Sequence, residues 1–386
     1  MLYTSAIVPC ADYGDCETAL NAAIDAIDGL SFVRPGMCVG IKANLVAPMK
    51  PEAGATTHPA LVAALTKRLV SLGAKVIVGD SPGGLFTPAA LHAVYHATGM
   101  AAAEAEGAEL NLDCSSKTVN IDGLKMHSLT YTTWLDRCDA VIDFCKLKSH
   151  GMMGMSGAVK NLYGVIPGLL KPQTHYLYPD AEDFADMLVD INEHIKPALT
   201  LADAVLGMEG NGPTAGTPRH IGAVIASKTT YEADVVAAAL IGADRQGVPT
   251  LRAAERRGLV CGDIDKIALC GNIEALKLTD FKFVPKRSIH FLSGSKFKVI
   301  PHVIEGCLTQ KPKPVKKLCV GCGKCASLCP AKAITMRGEK KKTPHIDRSK
   351  CIKCFCCQEF CPKAAMIVHR TLIMKALEGK RLRAQK

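Results

Sequence analysis

Two stretches near the C-terminus carry cysteines at a spacing that dictates chemistry. The first is Cys319-x2-Cys322-x2-Cys325-x3-Cys329-Pro330. The second is Cys351-x2-Cys354-x2-Cys357-x3-Cys361-Pro362. Three thiolates on one tight loop reach three corners of an iron–sulfur cubane, and a fourth, set after a helical turn, reaches the neighbouring cubane. The spacing therefore predicts two [4Fe–4S] clusters with crossed ligands. Cys319, Cys322, Cys325 and Cys361 hold one; Cys351, Cys354, Cys357 and Cys329 hold the other. The runs repeat at an offset of 32 residues, 319 to 351. Zinc also takes four thiolates. Two copies of the full run, each closed by a proline, favour iron–sulfur over a pair of zinc knuckles. Cys356 lies inside the second run but off its register and reads as a spare thiol, with ligand exchange with Cys357 as the alternative.

These eight are part of 18 cysteines in the chain. The other ten are scattered, the usual pattern of small buried hydrophobes. The N-terminal residues MLYTSAIVPC show no basic region and no long apolar run, so no secretory signal is visible. No stretch approaches the roughly 18 consecutive apolar residues of a membrane span. The expectation is a cytoplasmic protein whose cysteines serve metal rather than disulfides. Charge is uneven too. Residues 311–386 hold 20 Lys+Arg against 4 Asp+Glu, a net of +16, and the remainder nets −5 out of the total of +11. Lysines and arginines offset the negative charge of thiolate-bound clusters. A basic surface also steers an acidic redox partner protein. Nucleic acid ranks last as a partner, because few aromatics interleave the basic residues.

A second group of polar residues falls where strands are expected to end. Lys42 and Asn44 follow CVGI, and Asp80 follows VIVG. Lys146, Lys148 and His150 close AVIDFCKLKSH. Lys160 and Asn161 open AVKNLYGVI after the loop GMMGMSG. Parallel α/β sheets bind ligands beyond the carboxyl ends of their strands, and glycine loops entering helices offer N–H groups to anions. The set is thus placed to bind an anionic small molecule. Each member also has a plain structural reading: a solvated lysine, a hydrogen-bonded core histidine (His150, His175), or a turn (GDSPGG, GNGP). Neither G-x-G-x-x-G nor a Walker-type loop occurs, so nicotinamide and P-loop nucleotides have no support.

The elements that must position these residues are legible from periodicity. THPALVAALTKRLVSLG places Leu61, Leu65 and Leu69 on one helical stripe, with Pro59 in the first turn and Gly73 as the stop. DAEDFADMLVDINEHI reads as a helix capped by Asp180, with Phe184, Leu188, Ile191 and Ile195 on one face. YEADVVAAALIGA reads as a further helix. Residues 75–78, AVIDFCKL, LTLADAVL and HIGAVIAS read as strands. Strands alternating with helices predict an α/β fold, a largely parallel sheet covered by helices on both faces, followed by a small C-terminal α+β ferredoxin-like domain. The expected limits are residues 1–300 for the α/β domain and 301–317 for a Pro/Lys-rich linker. Residues 318–368 follow as the two-cluster domain and 369–386 as a basic tail.

The segments IKANLVAP, TTHPALV, VGDSPGG, KLKSHGMMGMSGAVKNLYGVIPG and MEGNGP resemble the bacterial and archaeal family called domain of unknown function 362, also described as iron–sulfur center proteins. The resemblance covers roughly residues 1–300, and the cysteine module extends it to about 368. It implies an α/β domain fused to a two-cluster ferredoxin. It implies no particular substrate. Lys42, Asn44, His58, Asp80, Lys148, His150, Lys160 and Asn161 are its matching polar positions. The leading functional expectation is a redox enzyme that passes electrons from the clusters to an anionic substrate. Lys148, His150 and Lys160 would serve as catalytic groups, and Lys42, Asn44, His58, Asp80, Asn161 and His175 would bind the substrate. The alternatives are an electron carrier or adaptor for a partner enzyme, and a non-redox enzyme with structural clusters.

Overall fold

The computed structural model describes residues 3–283, 311–339 and 341–369. They belong to two compact units, each described by itself below.

The large unit is built on a nine-stranded sheet. Its strands are β1 (Ser5–Pro9), β2 (Cys38–Ala43), β3 (Lys75–Gly79), β4 (Ala108–Leu110), β7 (Ala140–His150), β8 (Gly154–Ser156), β9 (Leu199–Glu209), β10 (Thr217–Ser227) and β11 (Leu269–Cys270). A separate hairpin pairs β5 (Ser116–Asn120) with β6 (Ser128–Thr132). The order β11-β1-β10-β9-β7-β2-β3-β4 is parallel from β9 to β4 and antiparallel across β9–β10 and β10–β1, and β8 folds back on β7. This is the largely parallel α/β architecture expected. Alternation along each strand splits the core between two faces. Val39, Ile41, Ile142, Phe144 and Leu201 pack under α1 (Cys16–Ala26), α2 (Pro59–Ser71), α3 (Pro88–Thr98) and α4 (Ala101–Ala105). Ile77, Cys145, Leu147, Ala202 and Ile225 face the other way, towards α5 (Ala158–Asn161), α7 (Ala181–Ile195), α8 (Thr230–Leu240) and α9 (Pro249–Arg256); α6 (Leu170–Leu177) precedes α7 in the chain.

Local chemistry explains the helix limits. Pro59 opens α2, and the His58 side chain caps it by accepting from the Ala60 amide at 3.3 Å. Asp180 caps α7 through the Glu182 amide at 2.8 Å. The segment AVKNLYGVI is less regular than expected. Four residues of α5 pass directly into a 3-10 turn, Leu162–Val165. Glycine at 164 is required there: a Cβ would lie 2.2 Å from Asp80 Oδ1 and 2.5 Å from Lys42 Nζ. No described helix is long and apolar enough to cross a membrane.

The small unit is an internal repeat. Strand β12 (Lys311–Pro314) pairs antiparallel with β15 (Met366–His369), and β13 (Ile334–Arg337) pairs with β14 (Thr343–Ile346). A short helix lies within each run of cysteines, Lys324–Ser327 and Cys356–Glu359. The 32-residue offset carries β12 onto β14, helix onto helix and β13 onto β15. It also carries the positive φ of Gly321, Gly323 and Lys332 onto Lys353, Phe355 and Ala364.

Lys311–Pro314 corrects the expected 301–317 linker: it is the first strand of the repeat. Its prolines misled the reading, yet they alternate at 312 and 314. A two-stranded edge accepts proline where the missing N–H points away from the partner strand. The rest of the expected linker up to residue 310, and the basic tail from residue 370, lie outside the described residues.

Candidate functional site: two cysteine cavities and a buried cationic network

The repeat creates two cavities of similar size. The first, partly open to solvent, spans about 380 Å³ and is lined by Cys319, Cys322, Cys325 and, from the second run, Cys361. The second, likewise partly open, spans about 330 Å³ and is lined by Cys351, Cys354, Cys357 and, from the first run, Cys329; Cys356 also borders it. Each fourth cysteine is held alike. The Ala333 amide donates to Cys329 Sγ and the Ala365 amide to Cys361 Sγ, both at 3.2 Å.

The thiols crowd one another. Burial pushes Cys325 up to about 11, and Cys361, Cys319 and Cys322 add to the rise. Cys357 is pushed up by burial and then by Cys354 and Cys351, with smaller contributions from Cys325 and Cys329. Four thiols gathered this way ionise together only around a cation. The donor set and its enclosure thus fit an iron–sulfur cluster in each cavity.

In the large unit, the carboxyl ends of β2, β3 and β7 meet in a buried polar network. Lys42 is paired in register with Asp143 on β7 and Gly79 on β3. Its Nζ lies 2.8 Å from Asp80 Oδ1, with side chains 1% and 5% exposed, and 2.7 Å from the Ala43 carbonyl. Asn161, delivered by α5, donates to the Lys42 carbonyl at 3.1 Å and to Asp143 Oδ1 at 2.7 Å. Its Oδ1 accepts from Asn44 at 3.0 Å. Lys148 Nζ donates to Asn44 Oδ1 at 2.9 Å and to the Ala55 carbonyl at 2.7 Å. Five of the expected residues therefore converge: Lys42, Asn44, Asp80, Lys148 and Asn161. Asp143 completes the group, and burial raises its carboxyl far above the usual range.

Lys171 adjoins this network from α6. Its Nζ donates to the Ser81 carbonyl at 2.7 Å, to Ser81 Oγ at 3.2 Å and to the Ile166 carbonyl. Burial pushes it down to about 7. Asp80 opposes that fall, and Lys42 and Lys160 reinforce it. Lys160, half-buried, stands with Nζ 5.3 Å from the Tyr163 ring centre.

The remaining expected residues lie elsewhere. His58 stacks on Tyr13 at 3.4 Å, and burial pushes it down to about 4. Beside them Lys146 and Asp203, register partners on β7 and β9, form a fully buried pair at 2.7 Å; Tyr13 hydroxyl accepts from Lys146 and donates to Asp203. His150 Nδ1 accepts from the Met152 and Met153 amides at 3.1 Å each, which shapes the loop after β7. His175 is stacked on Phe184 at 4.4 Å and sits edge-on to Tyr163.

The sequence reading missed Asp143, Lys171, Tyr13 and Asp203. Two left a signal, since Asp143 and Asp203 each interrupt an apolar run, AVIDFC and LADAVL. Lys171 left none.

Comparison with known proteins agrees with this division. Residues 39–239 match the family described as Domain of unknown function (DUF362). Residues 318–365 match the 4Fe-4S dicluster domain, so the C-terminal module is an iron–sulfur one. The thylakoid-associated protein sll1697 of Synechocystis sp. is 31% identical over 253 residues, which is 64% of this chain and 76% of that protein. Among solved structures, the lactate racemase apoprotein from Thermoanaerobacterium thermosaccharolyticum aligns with a TM-score of 0.38 at 12% identity, over 59% of this chain and 55% of that one. The matched span of the first comparison exceeds half of the residues, and the chain belongs to the DUF362 family.

Proposed function

We propose that the chain is a redox protein with two [4Fe–4S] clusters, which passes electrons to an anionic substrate held at the strand ends of the large unit. The observation that carries the cluster assignment is the lining of the two cavities, each with three cysteines of one run and the fourth of the other. When bound, each cluster supplies one electron at a time, so the pair suits a two-electron reduction.

The anion follows from charge. Lys42 and Lys160 both act on Lys171 at the strand ends, and Asp80, paired with Lys42, opposes them. Burial raises the Asp143 carboxyl far above the usual range, against the pull of Lys42, which weakens what it sets against these lysines. Buried excess positive charge is costly until an anion joins it. Half-exposed Lys160 would meet the ligand first, and Lys171 would gain a proton as the ligand's charge approached. Lys148 and Asn44 would hold Lys42 and Asn161 in place.

The test is reoxidation. Dithionite-reduced protein is mixed anaerobically with a panel of phosphorylated and carboxylated metabolites, and the cluster absorbance is followed. An active compound should lose its effect with Lys160→Met and Lys171→Met while iron content stays unchanged. If no compound reoxidises the clusters or raises the melting temperature, the enzyme reading fails. The carrier or adaptor reading would then stand. It has its own support in the closed hydrogen bonding of Lys42, Asn44 and Asn161, which suits a rigid docking scaffold.

A further inference from the structure

The two cavities share a repeat but not a setting. The 32-residue offset pairs Val320 with Ile352, Gly323 with Phe355 and Lys324 with Cys356. Around the first cavity Cys322 and Lys324 are exposed, and Val320 is 56% exposed, with Leu318 beside it at 51%. Lys363 adds a second exposed ammonium group, and no acidic residue lines this cavity. Around the second cavity the matching positions are closed: Cys354, Phe355, Cys356 and Cys357 are all buried, with Phe355 at 3% and Cys356 at 0%. The acid Glu359 lies on the helix of this second run.

We infer that the first cavity is the electron port of the chain, and that its rim is the docking face for an acidic electron-transfer protein. Exchange between proteins needs a cluster edge near the surface, and among the described cysteines of the two runs Cys322 of the first cavity alone is exposed. The rim has the make-up of a transient interface. Exposed aliphatic groups at Leu318 and Val320 supply contact, and the ammonium groups of Lys324 and Lys363 steer an acidic surface toward it. The second cluster, closed in by Phe355 and Cys356, receives its electron through the first. The inference rests on the two-cluster reading of the preceding section.

The probe is the soluble domain of cytochrome b5, a small acidic haem protein. In the measured step one electron leaves the reduced cluster and the ferric haem becomes ferrous, and no atom or proton is transferred. Stopped-flow mixing of the reduced full-length protein with the ferric probe gives a second-order rate. Lys324→Glu should slow it about fivefold or more at low ionic strength, an effect that fades as salt screens the encounter. Lys313→Glu is the control. It makes the same charge change on β12, next to Pro312 of the second cavity, and should leave the rate within about twofold on the same electrostatic argument. Equal slowing by both variants, or slowing by neither, would overturn the port assignment. Iron content is measured first. Loss of the clusters in the unmodified protein would defeat the two-cluster reading, whereas full iron without a difference between the variants would defeat the port alone.

Discussion

At the scale of single residues, the crossed ligand pattern makes a demand that pairs of substitutions can meet or refuse. Cys322→Ser and Cys361→Ser act on one cavity although 39 residues separate them (322 to 361). Their double variant should lose no more iron than either single variant, about four of eight atoms. Cys357→Ser with Cys361→Ser should lose both clusters, although the two cysteines are near neighbours in sequence. Cys356→Ser should keep full iron, since that thiol borders the second cavity off register. Iron analysis of these five variants decides each case. In the large unit, Lys42 and Asp80 are a buried pair. Lys42→Met strands the Asp80 carboxylate and should cost about 3–5 kcal/mol. The double change Lys42→Met with Asp80→Leu should recover much of that, as read by denaturant unfolding.

At the scale of elements, sequence patterning revealed more of the framework than of the site. Helices α2 and α7 and strands β7, β9 and β10 stand near their expected positions because periodicity and caps act locally. The cavities were legible because the spacing of a cluster run is itself a geometric statement. The network was only half legible. Lys42, Asn44, Asp80, Lys148 and Asn161 sit at strand or helix ends, which sequence can mark. Lys171 reaches Ser81 across 90 residues, and nothing local announces that contact. Strand β12 was hidden by its own composition, since Lys-Pro-Lys-Pro looks like a linker until its partner β15 is known. Replacing residues 311–314 with Gly-Ser-Gly-Ser in the full chain should therefore impair more than a tether. Pro312 borders the second cavity, so cluster loss in air should speed up and begin with that site. An unchanged bleaching rate in visible absorbance would argue that the strand is dispensable.

At the scale of the whole molecule, the chain joins a small basic cluster module to a larger acidic α/β unit, and pH should distinguish their parts. Lys171 is protonated in the unfolded chain up to its ordinary value near 10.5, while the folded chain releases the proton near 7. Between these values the unfolded state holds more protons, so this lysine's share of stability rises with pH across that window. Relative to Lys171→Met, the unmodified protein should therefore gain stability from pH 7 to 10, as measured by chemical denaturation. Anion binding at the strand ends should run the other way. Below pH 7 Lys171 is charged, so an anionic ligand should raise the melting temperature more at pH 6 than at pH 8.

The central claim is a pair of clusters in crossed cysteine cavities. Metal and acid-labile sulfide analysis of the anaerobically purified full-length protein tests it most directly. About eight irons and about eight sulfides per chain are predicted, two four-iron clusters. Zinc in the cavities, or only about four irons in fully loaded protein, would contradict it.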